Sequence, residues 1–392
     1  MEYMLDLSIL LVFAKTLEWL FEKKDVHPIL AHILTGMILG PFLLNVISPS
    51  EPLKVLSEFG LLMMMLYMGL TSNFSSIASN KAKAITVAGL GVAFSFFLGF
   101  STVYLFGKGL AAAIFVGVTL GNTAIEVTSG VLLKSRVGKE ISSILMGAAF
   151  ADDIMAVYLI GIITAMTQGE LALFPLVVLT IKIAIFIAAV LLLSEYIFKR
   201  SVRFYGILRN LNIFFTFTII LTFFLAIVAE MVGLHQIIGA YLAGLTISRL
   251  RERRDPLVLS KIKLNELIGD LQVVLTEFFM PLFFIYVGLM FNPSLNELNV
   301  ALIVLLYLAA VLGKLLGCGL GMRAFGFDWK SAMLVGIGMG GRGSLDLAIL
   351  KFGIEEGLID QGLFATSVIV SMLTAVTTPQ FFKLYLSRIR EE

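Results

Sequence analysis

Residues 141–164 read ISSILMGAAFADDIMAVYLIGIIT, an apolar run with two adjacent carboxylates, Asp152 and Asp153, near its middle. A run of this length is long enough to cross a bilayer as a helix, which takes about 20 residues. An aspartate at the centre of a membrane helix costs roughly 2.5–3.5 kcal/mol to insert, so intramembrane carboxylates face a cavity and a partner. Neighbours on a helix diverge by about 100°, so only one of the two can point straight at a given spot. That geometry suits one ion-binding carboxylate and one paired with a base. A purely structural ion pair is the blander reading of the same residues.

The rest of the chain fits a membrane setting. Its 392 residues are 59% hydrophobic and 14% charged, with a mean hydropathy of +0.98. Soluble domains are about 45–50% apolar and about 25% charged. A soluble enzyme, a disordered chain and a secreted disulfide scaffold are excluded. Cys318 has no second cysteine to pair with, and the net charge of +2 does not suggest nucleic acid. Met1 to Asp6 lacks the basic start of a cleavable signal peptide.

About 13 apolar segments follow one another. They are 5–20, 29–46, 53–70, 84–106, 111–133, 141–164, 176–198, 213–232, 237–248, 273–290, 300–324, 331–350 and 363–386. Of the 29 Lys and Arg residues, 22 fall in loops or ends after odd-numbered segments. Only Lys54, Lys108 and Lys351 fall after even ones. Basic residues mark the cytoplasmic side, so the N-terminus is expected outside and the C-terminus inside.

The chain also repeats itself. Glu58-Phe59, Tyr67, Gly69-Leu70 and Asn73 return 219 positions later as Glu277-Phe278, Tyr286, Gly288-Leu289 and Asn292. The stretch from His27 to Gly36 resembles that from His235 to Gly244, and the Gly-rich stretches 117–134 and 336–351 match at a similar offset. The offset is seven segments, an odd number, so the second unit is expected upside down. The expected architecture is an all-α polytopic membrane protein with two inverted six-helix repeats, residues 1–165 and 206–392, joined by a linker helix over 166–205. Inverted repeats mark secondary transporters, whose sites lie near the midplane at broken helices.

Two such breaks are readable: Thr119-Leu-Gly-Asn-Thr-Ala-Ile-Glu126 and Gly336-Ile-Gly-Met-Gly-Gly-Arg-Gly-Ser344. Irregular backbone at membrane depth is tolerated only where it lines a cavity or protein. The breaks hold matching places in the two repeats, so they are expected to cross. Asn122 and Thr123 are expected to supply oxygen to an ion there. Glu126 and Arg342 are expected to pair across the crossing and neutralise the dipole ends, or else to face water separately. Lys314 stands alone in the apolar run 304–320 and is the expected partner of an Asp152–Asp153 carboxylate, with snorkelling to the interface as the alternative. For Lys182, nearer a segment end, snorkelling is the better reading. Gly336, Gly338 and Gly341 nominally fit GxGxxG, but no strand precedes them, and nucleotide binding is rejected. His27 and His235 read as structural, Met63–Met65 as packing, and Arg249–Arg254 as a topology signal.

The aspartate pair, the later lysine, the two Gly-rich breaks and the inverted repeat resemble the monovalent cation:proton antiporters over almost the whole chain. The likeness is nearest to the NapA-type sodium/proton antiporters, which share the NhaA-like fold. The resemblance implies that Asp153 is the main site for sodium, lithium or a proton, Asp152 its companion and Lys314 the switchable counter-ion. It also implies a homodimer in the cell membrane, no cofactor beyond the transported ions, no nucleic acid partner, and a core of segments 4–6 and 11–13 moving past a scaffold of segments 1–3 and 8–10. An Asp-Asp pair goes with electrogenic exchange in that family. Glu126 has no clear place in its motif. Potassium-efflux relatives share the His-Pro-x-Leu element, usually carry Gln-Asp at the pair, and often add a nucleotide-binding domain, which is not expected here because Glu392 follows soon after the last segment. The expected function is therefore sodium(lithium)/proton antiport rather than enzymatic catalysis, with potassium/proton antiport or sodium-coupled organic solute symport as alternatives. An intramembrane aspartyl protease needs its two aspartates on different helices, and a channel needs a continuous polar lining.

Overall fold

The computed structural model describes residues 2–23, 28–71, 80–124, 137–167, scattered positions between 178 and 192, 211–232, 236–248, 259–294 and 296–391. The described residues form helices and connecting turns, with no strand among them. In chain order the helices are α1 (Glu2–Glu22), α2 (Pro28–Leu39), α3 (Glu51–Thr71), α4 (Lys81–Leu105), α5 (Leu110–Gly121), α6 (Lys139–Thr167), α7 (Leu211–Met231) and α8 (Gln236–Ser248). After them come α9 (Leu259–Val274), a π-helical turn (Leu275–Phe279), α10 (Met280–Leu289), α11 (Val300–Ala324), α12 (Trp329–Gly338), α13 (Ser344–Glu355) and α14 (Gln361–Glu391). Among the described residues, six helical spans are long and apolar enough to cross a membrane. The protein is a membrane protein with multiple apolar helices. Most of the predicted segment 176–198 lies outside the described residues, as do His27, His235 and Arg249–Arg254.

Helix starts follow local chemistry. The first N–H groups of a helix lack intrahelical partners, and a side-chain oxygen just before the helix can take them. Asn299 Oδ1 accepts from Leu302 N at 3.2 Å and opens α11. Asp328 Oδ2 accepts from Lys330 N at 3.2 Å and Ser331 N at 3.4 Å and opens α12. The Ser331 and Lys330 hydrogen bonds hold the Asp328 carboxyl below the usual carboxylate range. Asp360 Oδ1 takes Leu363 N at 2.7 Å at the start of α14.

The π turn has a local cause as well. Pro281 has no N–H to return to the Glu277 carbonyl, and the turn before it shifts register so that Met280 N donates to Leu275 O. The predicted segment 273–290 is thus only the end of a longer helical run that begins at Leu259. The polar composition of residues 260–272 hid its first half.

The Cα trace divides into two compact units. In the unit of residues 1–49, 76–159 and 284–392, α4 lies antiparallel on α11. Val87, Gly91 and Ser95 of α4 meet Gly321, Gly317 and Gly313 of α11 in turn. A Cβ on Gly317 would stand 2.7 Å from the Leu90 carbonyl carbon and 2.8 Å from Gly91 Cα. Backbone cannot step aside as a side chain can. Gly317→Leu is therefore expected to force α4 and α11 apart and destabilise the protein by roughly 1–3 kcal/mol or more. Thermal unfolding in detergent checks this, and an unchanged midpoint would contradict the close approach. The opposite face of α11 carries Leu308, Leu312, Leu316 and Leu320, each 42–48% exposed. That apolar stripe suits lipid. In the same unit Gly288 of α10 packs on α2, where its Cβ would lie 2.9 Å from Gly36 Cα.

In the unit of residues 50–75 and 160–283, α3 packs on α8. A Cβ on Gly69 would lie 2.9 Å from Gly244 Cα, and one on Gly244 2.9 Å from Gly69 Cα. The Phe59 ring lies tilted against its neighbours, its centre 4.9 Å from that of Phe279 and 5.6 Å from that of Phe223. Met63, Met64 and Met65 are buried in this packing.

Candidate cation site

Two of the helices stop inside the unit that holds α4, α5, α6 as far as Leu159, and α11–α14. A helix of 12 residues such as α5 is about 18 Å long, against about 30 Å of hydrocarbon. After Gly121 the chain turns extended at Asn122, φ −81° and ψ 160°. The second interruption is residues 339–343, between α12 and α13. The two breaks meet. Ala124 N donates to Gly341 O at 2.9 Å, and Thr123 Oγ1 donates to Met339 O at 2.9 Å. Each irregular stretch thus satisfies part of the other's backbone, as apolar surroundings require.

Arg342 enters the end of α5. Its Nη1 donates to Thr119 O at 3.1 Å and to Asn122 O at 3.4 Å. Its Nη2 donates to Leu120 O at 2.6 Å, and the residue is 1% exposed. The last carbonyls of a helix are orphaned and carry its negative dipole end, where a cation is favoured. The guanidinium meets both needs. The expected partner Glu126 lies outside the described residues.

The opposite charge sits on the other half-helix. Asp346 lies in the first turn of α13, fully buried. Its Oδ2 accepts from Gly343 N at 3.2 Å, placing an anion at the positive dipole end. Sequence reading passed over Asp346. The available signal was an acid three residues after Gly343, at the spacing of a helix-start cap.

α6 brings Asp152 to the crossing. Lys314 Nζ donates to Asp152 Oδ2 at 2.5 Å, and both side chains are fully buried. Lys314 therefore does not snorkel. Gly91 of α4 lies against the same turn of α11: a Cβ there would collide with Cys318 Sγ and come into ordinary contact with Lys314, 3.5 Å from Cδ and 3.7 Å from Nζ. Thr123 and Arg342 also act on the Asp152 carboxylate. Among the described residues Asp152 Oδ1 and Asn122 Oδ1 are buried with no hydrogen-bond partner. Asp153 follows Asp152 on α6, and its side chain lies outside the described ones. Lys182 is exposed. Lys351, expected just past the end of the segment 331–350, lies inside α13 and is buried, 3.3 Å from Glu355.

Crossed half-helices, free oxygens and an ion pair that a cation could compete for together make a place where a small cation can be bound and charge-compensated. The family described as sodium/hydrogen exchanger, transmembrane, matches residues 8–386. The chain is 28% identical to the Na(+)/H(+)-K(+) antiporter GerN of Bacillus cereus over 97% of this chain and 96% of the relative. It is 27% identical to a Na(+)/H(+) antiporter of Enterococcus hirae over 99% of each. The fold matches the sodium proton antiporter MjNhaP1 of Methanocaldococcus jannaschii, solved at pH 8, with a TM-score of 0.75, 17% identity, and coverage of 98% of this chain and 97% of that one.

Proposed function

The chain belongs to the sodium/hydrogen exchanger family, and on that premise we propose that it exports sodium or lithium from the cell in exchange for protons by alternating access. The observation that carries this reading is the buried Asp152–Lys314 pair beside the crossed breaks. Asp153 is the main site for the cation or proton. Asp152 is its companion, Asn122 and Thr123 add oxygen, and Lys314 is the counter-ion. A proton and a sodium ion neutralise the same carboxylate oxygens, so they compete. Competition gives obligatory exchange as long as the empty charged site does not cross. An arriving cation displaces Lys314 from Asp152, and the ammonium then gives up its own proton. That makes two protons inward for one sodium outward. One net charge moved yields about 2.3 kcal/mol per 100 mV, so membrane potential drives export.

The glycine contacts support the inverted repeat. By the sequence match Gly36 corresponds to Gly244 and Gly69 to Gly288. Exchanging the repeats turns the Gly36–Gly288 approach into the Gly244–Gly69 approach, and both occur with the same 2.9 Å spacing. Residues 1–165 and 206–392 are then the two repeats around the linker. The skewed lysine and arginine distribution supports an outside N-terminus, and the family resemblance supports a homodimer. Potassium/proton exchange is the second reading, because the Bacillus cereus relative's name includes potassium.

Purified protein in proteoliposomes with an acidic lumen and a pH-sensitive dye tests this. Sodium or lithium added outside is expected to dequench the dye, more strongly as the outside is made alkaline and the site deprotonates. A response to potassium alone would select the second reading. No proton movement with any cation would overturn both and point to a symporter.

A further inference from the structure

Asp346 is a carboxylate that the exchange scheme above does not use. It is fully buried. One oxygen caps α13, taking the Gly343 N–H. The other, Oδ1, has no hydrogen-bond partner among the described residues. Arg342 and Lys314 are close enough to act on it electrostatically, yet neither forms an ion pair with it: Arg342 gives Nη1 and Nη2 to the carbonyls of α5, with its Nε buried and unpartnered, and Lys314 is paired with Asp152. A capping role explains one oxygen and leaves the second bare in a buried place, which is costly for a carboxylate. The Asn122 side-chain amide is near enough to act on this carboxylate as a donor, and Asn122 Oδ1 is itself buried and unpartnered. Asp152 Oδ1 is unpartnered too. Three buried oxygens from α6, the α5 break and α13 thus lack donors around one crossing.

Oxygen atoms without donors, one of them on a carboxylate free of any ion pair, can replace the hydration shell of a desolvated monovalent cation. We propose that Asp346 is a direct ligand of the transported cation through Oδ1, joined by Asn122 Oδ1. The site then spans both broken helices rather than resting on α6 and the α5 break alone. This rests on the antiport reading, because it concerns the cation that reading names.

Sodium titration of proton flux in proteoliposomes, wild type against Asp346→Asn, tests it. Asparagine keeps an amide oxygen where Oδ2 accepts the Gly343 N–H, so that hydrogen bond can survive while the charge is lost. The half-saturating sodium concentration is expected to rise about tenfold, equivalent to about 1.4 kcal/mol of lost attraction. The protection that sodium gives against thermal unfolding in detergent should weaken in parallel, with the sodium-free midpoint retained. An unchanged half-saturating concentration would reduce Asp346 to a helix cap and overturn the proposal.

Asp346→Glu separates ligation from charge alone. It keeps the charge and moves it by one methylene, so a ligand alters the ratio of sodium to lithium half-saturation. A residue acting only at a distance leaves that ratio as it was, which would overturn direct ligation. The same variant serves if the asparagine protein does not fold. Wild-type protein that moves no protons with any cation would fail the antiport reading itself. Sodium protection lost only in Asp346→Asn would still uphold the ligand.

Discussion

Asp153→Asn is expected to abolish sodium-driven proton flux, leaving dye dequenching at the level of protein-free liposomes. The amide is nearly isosteric with the carboxylate, so the change removes charge and a titrating group and leaves shape. A neutral amide cannot alternate between a proton and a cation, which is the step that couples the two flows. Asp153 also costs roughly 2.5–3.5 kcal/mol to hold at membrane depth, so its removal should keep or raise the thermal midpoint in detergent. Lost transport in a protein at least as stable as the wild type marks a functional carboxylate. Retained sodium–proton exchange would show that another group carries the coupling.

Lys314→Met is expected to produce the largest loss of stability together with a change in voltage response. The pair is fully buried on both sides, and removing one member of a buried pair costs about 3–5 kcal/mol because it leaves a charge uncompensated. The partner change Asp152→Asn strands the ammonium in the same way. Removing both charges together should recover most of the loss, because neither is then left alone. This gives a coupling that a double-mutant cycle reads directly. If the ammonium carries the second proton, protein lacking Lys314 that still exchanges should do so one for one. Clamping the membrane potential should then leave its rate unchanged, whereas the wild type responds. Four unfolding midpoints, those of the wild type, the two single variants and the double variant, and two clamped flux measurements settle it. Additive losses, or an undiminished voltage response without Lys314, would separate the pair from the exchange.

Much of this site was legible because charge in an apolar run is conspicuous. Asp152, Lys314 and Arg342 each interrupt a stretch that otherwise reads as membrane helix, and glycines announced both breaks. The partners were less legible. Arg342 binds the carbonyls of Thr119, Leu120 and Asn122, and no side-chain pattern names a backbone acceptor. Charge alone points to Glu126 as its partner. Asp346 was hidden for a related reason: it sits among glycines where local helix-start chemistry already explains an acid. The early turns of α9 escaped because hydropathy finds lipid-crossing length and not helix as such. Lys351 marks a segment end when only charge is counted, while the fold continues the helix past it and buries it 5.5 Å from the Tyr286 ring centre.

Competition between sodium and protons for one set of carboxylates is tested most directly without any membrane. Purified wild-type protein in weakly buffered detergent solution at alkaline pH is mixed with sodium chloride, and the proton release is followed with a pH indicator, with choline chloride as the salt control. Release of protons on sodium binding, absent in Asp153→Asn, is the expected result. Sodium binding with no proton release, or with proton uptake, would contradict a shared site.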